Sequence, residues 1–323
     1  MFQCANPVRR IFNSALAALL MASVIPVFAE KIPDTVRIGY QKSSTLLSIV
    51  KTRGTLEQLL APLGVKVTWH EFASGLPLLE ALNVGGVDLS ADVADTVPVF
   101  AQAAGAQFTY LAQEAPSPSA QALVVWANSS FKTIADLKGK KIAVTKAAGS
   151  HYLLIALLKK AGIKASDINV AYLSPSDGRA AFERGSVDAW VIWDPFLAGV
   201  QSQSHIRIIA DGRNVADYQR YYLASTAFAN ARPDVLAVVF DELRKTGRWA
   251  KQNPKEAAAL LAPVWGLDAN IVELANSRRS YEVRAVLPGA LNEQQRIADA
   301  FLSEGFLPKK VDATAVSLWS PVQ

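Results

Sequence analysis

The sequence predicts an α/β protein of two lobes, each built on a mainly parallel sheet flanked by helices. From Val36 onward, short apolar runs rich in β-branched residues alternate with amphipathic helical patterns, as in chains whose helices connect parallel strands. The unit of strand, loop and helix occurs in two successive sets, separated by the proline-rich link Pro116-Ser117-Pro118. We predict a first lobe over residues 30–120, a second lobe over 121–220, and a return to the first lobe with C-terminal helices over 221–323.

Each predicted strand is a short apolar run, and helical patterns fill the intervals between the strands. The strands are Val36 to Gly39, Val65 to Trp69, Val87 to Ser90, Phe108 to Ala112, Leu123 to Ala127, Ile142 to Thr145, Val170 to Leu173, Ala189 to Trp193 and Ile206 to Ala210. Beyond Arg232 the pattern becomes helical, because Pro233 suits a first turn and Asp234 to Lys251 has apolar residues at helical spacing.

The first 29 residues have the features of a secretory signal peptide. Arg9-Arg10 precedes an apolar run from Ile11 to Val27, and Val27-Phe28-Ala29 is a small-residue cleavage pattern. A membrane anchor is the alternative, but polar residues and a proline interrupt the run before it reaches about 20 apolar residues. We predict export, with cleavage after Ala29.

Composition argues against several kinds of chemistry. The only cysteine, Cys4, precedes the apolar run, so the exported chain has no disulfide, cysteine ligand or cysteine nucleophile. His70, His151 and His205 show no metal-ligand spacing, and we predict neither a metal nor a cofactor. The formal net charge is +5 and the basic groups are scattered, which argues against nucleic-acid binding. No exposed apolar stripe is evident, so we expect a monomer.

The segment Lys146-Ala147-Ala148-Gly149-Ser150-His151 has the pattern of an anion site. It lies between a predicted strand that ends at Thr145 and a helical pattern that begins at Tyr152. Small residues at such a turn let ligand oxygens approach N–H groups that have no intrahelical partner, where the helix dipole adds positive charge. An ordinary helix cap is the alternative for Gly149 and Ser150. His151 has no partners in a triad pattern, so we interpret it as a hydrogen-bonding residue.

Other loops at strand ends supply further candidate ligand contacts. Gln41 offers an amide, and Thr96 offers a hydroxyl near the start of a helix. Asp92 and Asp95 are interpreted as structural residues, with Asp95 or Thr96 as a helix cap, unless the ligand carries an amine. The remaining candidates are an apolar wall at Trp193, a cap at Asp194, and a tyrosine of the crossing segment at Tyr221 or Tyr222. The predicted ligand contacts are thus Gln41, Asp95, Thr96, Gly149, Ser150, His151, Trp193, Asp194 and Tyr222.

A series of short motifs, in order along the chain from about Val36 to Trp319, resembles the periplasmic aliphatic-sulfonate-binding proteins of ABC importers. The motifs are Gly39-Tyr40-Gln41-Lys42, Glu80 to Gly85, Val99 to Ala106, Asp136-Leu137-Lys138-Gly139, Ser150-His151, Val187-Asp188-Ala189-Trp190 and Ile192-Trp193-Asp194-Pro195. The resemblance implies a type II periplasmic binding protein fold and capture of an alkanesulfonate for sulfur uptake. It also implies a non-enzymatic chain that docks at the membrane surface and delivers cargo to a permease driven by an ATPase.

Two segments depart from the pattern of that family, and both lie in the predicted site. Ser90 to Thr96 stands where the family has a serine-threonine-glycine-aspartate loop, and Ala147 to Ser150 stands where a run of serines is common. The preferred anion therefore stays open, with taurine, nitrate or another small anion as the alternative cargo. An enzyme on the same scaffold is a third hypothesis, but the exported chain lacks the cysteine nucleophile of the related desulfinase.

Overall fold

Two mixed sheets, each covered by helices, organise residues 33–321, the part of the chain that this computed structural model describes. The strands are β1 Thr35–Gln41, β2 Lys66–Phe72, β3 Leu89–Ala94, β4 Phe108–Glu114, β5 Gln121–Trp126, β6 Lys141–Val144, β7 Asn169–Tyr172, β8 Ala189–Trp193, β9 Ile206–Asp211, β10 Arg220–Ser225, β11 Val283–Arg284 and β12 Ser317–Leu318. The predicted signal peptide and its cleavage after Ala29 lie outside the described residues.

The two sheets define the two lobes. In the first lobe the strand order is β11-β4-β10-β3-β1-β2, and β12 also pairs with β4. In the second lobe the order is β7-β6-β8-β5-β9. Every strand predicted from the sequence is present, whereas the two-residue strands β11 and β12 are too short to leave a pattern. The chain changes sheet between β4 and β5 and again between β9 and β10, and the lobe boundaries given above stay a prediction.

The expectation of mainly parallel sheets needs a correction. Strands β1 to β3 and β6 to β8 include the expected parallel pairings. However, β10 is antiparallel to β3 and β4, and β5 is antiparallel to β8 and β9. Both reversed strands follow a crossing between lobes, so they enter their sheets without the helical connection that parallel neighbours require. The segment interpreted as a crossing, Arg220 to Ala224, is itself a central strand.

Helices cover both sheets. They are α1 Leu46–Arg53, α2 Thr55–Leu60, α3 Gly75–Asn83, α4 Thr96–Ala103, α5 Gly149–Lys160, α6 Pro175–Glu183, α7 Phe196–Gln203, α8 Thr226–Ala231, α9 Pro233–Gln252, α10 Pro254–Trp265, α11 Ala269–Ser277 and α12 Asn292–Ser303. Helix α9 confirms the predicted C-terminal helix and begins with Pro233 in its first turn. Across residues 33–321, no single helix has the length and hydropathy of a membrane span, although the bent pair α10 and α11 passes that test jointly.

Helix α12 contacts both lobes. The ring of Phe301 lies 4.9 Å, centroid to centroid, from Phe100 on α4 and 5.1 Å from His151 on α5. Phe301 belongs to a hydrophobic cluster, with Phe100 packed against it, that joins the second lobe to α4 and α12. The C-terminal helix therefore connects the lobes by packing, in addition to the covalent crossings.

Candidate ligand-binding site

A pocket lies between the two lobes, with an empty volume of about 330 Å³ that includes space open to solvent. It is referred to below as the inner pocket. The loops that follow strands supply most of its walls, as expected for open α/β sheets. Its lining residues are Gln41, Ser74, Gly75, Leu76, Ala94, Val97, Thr145, Lys146, Ala147, Ala148, Gly149, Trp193, Tyr218 and Arg220.

Two helices from opposite lobes begin at the inner pocket. Gly75 is the first residue of α3 and Gly149 is the first residue of α5, and both line the pocket. The residues before them, Ser74 and Ala148, make no side-chain capping hydrogen bond to their helices. The first N–H groups of a helix have no intrahelical acceptor and carry partial positive charge. Both lobes therefore present amide donors to an anion in this pocket.

Gly149 allows the lobes to approach closely. A Cβ atom at this position would lie 2.5 Å from Cε2 of Tyr218 and 3.2 Å from Cβ of Ala94 in the first lobe. The preceding turn is also constrained, because Ala147 has φ of 60°, a left-handed conformation that is uncommon for a residue with a Cβ. The N–H of Ala147 donates to Nδ1 of His151 at 3.3 Å, which helps to hold this turn.

The charged groups that line the inner pocket are cationic. Lys146 is exposed at its edge, and Arg220 is buried in its wall. The Arg220 guanidinium lies 2.6 Å from Oδ2 of Asp92 and donates to the hydroxyl of Tyr218 at 2.7 Å. None of the described lining residues is Asp, Glu, His or Cys. Within residues 33–321, no cluster of three or more potential metal-ligating side chains occurs.

A buried network of charged side chains surrounds Arg220 on the side away from the inner pocket. Arg279 lies 3.2 Å from the same oxygen of Asp92 and 2.7 Å from Oε2 of Glu114. Burial lowers the pKa of Arg279, but the charges of Glu114 and Asp92 more than offset this effect and leave the pKa well above its ordinary value. Two guanidinium groups and two carboxylates thus balance one another in the interior of the first lobe.

Three of the predicted ligand contacts line the inner pocket: Gln41, Gly149 and Trp193. The Gln41 amide donates to the backbone carbonyl of Asp92 at 3.0 Å, which fixes its orientation. The indole N–H of Trp193 points toward Oγ of Ser43 in the first lobe at 3.5 Å. Gln41 and Trp193 therefore face the pocket from opposite lobes.

Asp95, Thr96 and Ser150 lie beside the inner pocket but outside its lining. Asp95 accepts hydrogen bonds from the N–H groups of Thr96 at 3.1 Å and Gln219 at 3.0 Å, and burial raises its pKa to about 7. The Thr96 hydroxyl donates to the carbonyl of Ala147 at 2.7 Å, a bond that joins the lobes. Ser150 Oγ is buried and has no hydrogen-bond partner among the described residues. The side chains of Asp95 and Thr96 are therefore occupied by hydrogen bonds within the protein.

The remaining predicted contacts, His151, Asp194 and Tyr222, also lie outside the lining. His151 is buried among the rings of Tyr172, Phe301 and Phe306. The hydroxyl of Tyr222 donates to Oε1 of Glu114 at 2.7 Å. Each of these side chains is engaged by protein groups, as most buried polar side chains are.

Asp194 forms an ion pair between the lobes. Its Oδ1 lies 3.0 Å from Nη1 of Arg278, which follows α11 in the first lobe, and accepts from the N–H of Ala198 at 3.0 Å. Burial raises the pKa of Asp194 to about 7, although Arg278 acts in the opposite direction. Arg278 also donates to Gln201 on α7. The N-cap position of α7 is Pro195 and not Asp194 as predicted, although the Asp194 carboxylate still accepts from the third residue of the helix, Ala198.

Acid is expected to weaken the fold through His151. Burial first, and the charge of Lys146 second, lower its pKa from 6.5 to about 4. Because the folded chain resists protonation, the unfolded chain binds more protons between these values, and the free energy of unfolding falls as pH falls from about 6.5 to about 4. The expected loss is about 3 kcal/mol. Urea denaturation of the wild type and His151→Phe over this range measures it, and parallel pH profiles of the two proteins would contradict the assignment.

Several lining residues were not predicted from the sequence. Ser74 and Gly75 have the same signal as Gly149, small residues between a strand and an apolar helix, and that signal would have identified them. Arg220 left no such signal, because its role depends on a partner, Asp92, that is 128 positions away. Tyr218 reaches the pocket from the segment between β9 and β10, where a φ of 51° turns the backbone.

Comparison with known proteins gives consistent matches over nearly the whole chain. The model of the NMT1/THI5-like family matches residues 61–257. A protein of Escherichia coli K12, provisionally named an aliphatic sulfonates-binding protein, is 38% identical over 316 residues, which cover 98% of each chain.

Two solved structures are similar in both sequence and fold. The periplasmic aliphatic sulphonate binding protein of Escherichia coli has a TM-score of 0.82 at 38% identity and covers 90% of this chain and 94% of its own. The alkanesulfonate-binding protein of Xanthomonas axonopodis pv. citri, bound to MOPS, has a TM-score of 0.81 at 37% identity, with coverage of 87% and 97%.

Proposed function

We propose that this chain, which belongs to the NMT1/THI5-like family and to the aliphatic-sulfonate-binding proteins, captures small organic sulfonates between its lobes for an ABC importer. The observation that carries the proposal is the arrival of two helix N-termini, at Gly75 and Gly149, from opposite lobes at one pocket. A sulfonate head has three oxygens that accept hydrogen bonds and one negative charge. Amides from two directions, with Arg220 and Lys146, match that head in geometry and in charge.

The chemistry of the lining supports binding rather than catalysis. Its polar groups are backbone amides, two cations, the Gln41 amide and hydroxyl groups, which hold an anion without transferring a proton. Burial raises the pKa of Tyr218 to about 12, so its hydroxyl stays protonated near neutral pH. The relatives named above are binding proteins, and we propose that this chain is likewise a carrier and not an enzyme.

The contacts of the two buried aspartates favour a sulfonate without an amine over taurine. Asp92 is paired with Arg220 and Arg279, and Asp95 accepts two backbone hydrogen bonds. Neither aspartate lines the inner pocket. An ammonium group two carbons from the head would therefore meet cations and amide donors, which oppose its positive charge.

We further propose that the exported chain acts in the periplasm as a monomer. It would dock at the membrane surface without being embedded, and it would pass its cargo to a permease that is driven by a cytoplasmic ATPase. The periplasmic relative of Escherichia coli supports this location. Separation of the two sheets would release the cargo, since the walls of the inner pocket come from both lobes.

Calorimetric titration of purified protein, unfolded and refolded to remove cargo, tests the proposed function. We expect ethanesulfonate to bind most tightly, taurine more weakly, and sulfate and nitrate weakest. Lys146→Met should lower the ethanesulfonate affinity by about two- to fivefold, because an exposed charge contributes up to about 1 kcal/mol. Lys132→Met, at an exposed lysine outside the lining, is the matched control. Absence of heat with every sulfonate would overturn the proposal.

A further inference from the structure

The turn between β6 and α5 contains the amide donors that the second lobe presents to the inner pocket. The N–H of Ala148 donates to the carbonyl of Thr145 at 3.3 Å. The N–H groups of Gly149 and Ser150 have no backbone acceptor within residues 33–321. They are therefore the groups that an anion at the start of α5 can engage. Their direction depends on the backbone just before them, at Ala147.

Ala147 is held by hydrogen bonds from two directions. Its N–H donates to Nδ1 of His151 in the second lobe at 3.3 Å, and its carbonyl accepts from the hydroxyl of Thr96 in the first lobe at 2.7 Å. Its φ of 60° is unfavourable for a residue with a Cβ and persists only where the surroundings enforce it. Because Ala147 is buried, protein groups must satisfy its polar atoms in place of water.

Thr96 is itself fixed in the first lobe. It is the first residue of α4, it is fully buried, and its N–H donates to Oδ1 of Asp95 at 3.1 Å. The other oxygen of Asp95 accepts from the N–H of Gln219, in the segment that crosses between the lobes, at 3.0 Å. The length of 2.7 Å is ordinary for an O–H···O hydrogen bond, so the Thr96 hydroxyl makes a full bond to the other lobe.

We propose that Thr96 is a positioning residue, whose hydroxyl couples closure of the lobes to the orientation of the amide donors at Gly149 and Ser150. This inference rests on the proposed function, since those donors are the ones assigned to the sulfonate head. The Thr96 hydroxyl and the Ala147 carbonyl belong to different lobes, so their bond forms only when the lobes are together. Sulfonate binding and this bond therefore favour the same arrangement of the lobes, and each strengthens the other.

Thr96→Val tests the role of the hydroxyl, because valine has nearly the same shape and lacks the donor. With the lobes together, the buried carbonyl of Ala147 would lose its partner. Ethanesulfonate affinity should therefore fall by about 5- to 150-fold. The melting temperature of the ligand-free protein should stay that of the wild type, since separated lobes leave this carbonyl to water. Thr96→Ser keeps the hydroxyl and should bind within about twofold of the wild type. Calorimetric titration and thermal unfolding measure these effects.

Thr109→Val is the matched control. Thr109 is also buried, but its hydroxyl donates at 3.3 Å to Thr226, and both residues belong to the first lobe. This variant should bind ethanesulfonate within about twofold of the wild type, with any cost appearing in the melting temperature. If Thr96→Val keeps its affinity, or if Thr96→Ser loses as much affinity as Thr96→Val, the hydroxyl does not position the donors. A lower melting temperature of ligand-free Thr96→Val with unchanged affinity would make the bond merely structural.

A distance measurement between the lobes separates this inference from the proposed function. Val84 and Lys160 are exposed at the far ends of α3 and α5, so spin labels on Val84→Cys and Lys160→Cys report how far the lobes are apart. Thr96→Val should have a smaller population at the shorter, closed distance than the labelled wild type, both ligand-free and with ethanesulfonate. Equal populations would overturn the inference. A wild type that binds no sulfonate, together with fewer closed molecules in Thr96→Val, would overturn the proposed function and leave the closure contact supported.

Discussion

Replacing Asp92 with alanine is expected to lower the free energy of unfolding by about 3–5 kcal/mol, because it removes one partner of a buried ion-pair network. Asp92 is fully buried and lies 2.6 Å from Arg220 and 3.2 Å from Arg279. Without it, two buried guanidinium groups share only Glu114. Sulfonate affinity should fall as well, since Arg220 loses the partner that orients it at the inner pocket. Urea denaturation and calorimetric titration measure the two effects.

A surface ion pair provides the control for Asp92→Ala. Glu183 pairs with Arg179 at 2.8 Å, and the side chains are 38% and 31% exposed. Glu183→Ala should cost less than about 1 kcal/mol, because solvent screens such a pair. Equal losses in the two variants would show that the buried network has no special role in the stability of the first lobe.

Gly149→Ala is expected to weaken ethanesulfonate binding by about 5- to 150-fold. The added Cβ would lie 2.5 Å from the buried ring of Tyr218, a distance that no packing tolerates, so the start of α5 must move away from Ala94 and the first lobe. Overpacking of this kind costs about 1–3 kcal/mol. The substitution destabilises the arrangement of the lobes that binds ligand, so the cost appears as a loss of affinity. Titration with ethanesulfonate, alongside urea denaturation, measures the loss.

Gly289 is the matched site for Gly149→Ala. A Cβ at Gly289 would meet no atom within 4 Å, and its φ is not in the left-handed region. Gly289→Ala should therefore bind ethanesulfonate as the wild type does. A Gly149→Ala variant whose affinity stays within about twofold of wild type would refute the view that the lobes need a glycine here.

Much of the fold was predictable because its signals are local. Runs such as Ala189–Trp193, buried on both faces of the sheet, have the continuous apolar pattern of an interior strand. The antiparallel direction of β5 was not predictable from its composition, and β10 was interpreted as a crossing segment and not as a strand. The orientation of each strand depends on the point at which the chain enters the sheet, and the residues of the strand itself do not determine that point.

The candidate site likewise contains residues that a local sequence pattern reveals and residues that depend on distant partners. Gly149 was identified from a turn pattern that is complete within a few residues, and Trp193 from its place at a strand end. Arg220 was missed, because a buried arginine is tolerated only where distant carboxylates meet it, and β-sheet register brings Asp92 to that position. His151 was included as a hydrogen-bonding residue of that turn, and the structure buries its ring against Phe301 and Phe306.

The position of Phe301 between Phe100 and His151 restricts how this molecule can release what it holds. A rotation of one lobe that separated these rings would expose aromatic surface, at a free-energy cost of roughly 25 cal/mol for each Å² exposed. The axis of the swing should therefore pass near the C-terminal helix, which remains in place while the mouth of the cleft widens. One side of the cleft would then stay closed while the other opens. Cargo would leave through the same face of the molecule in every cycle, and a transport partner would have to bind at that face.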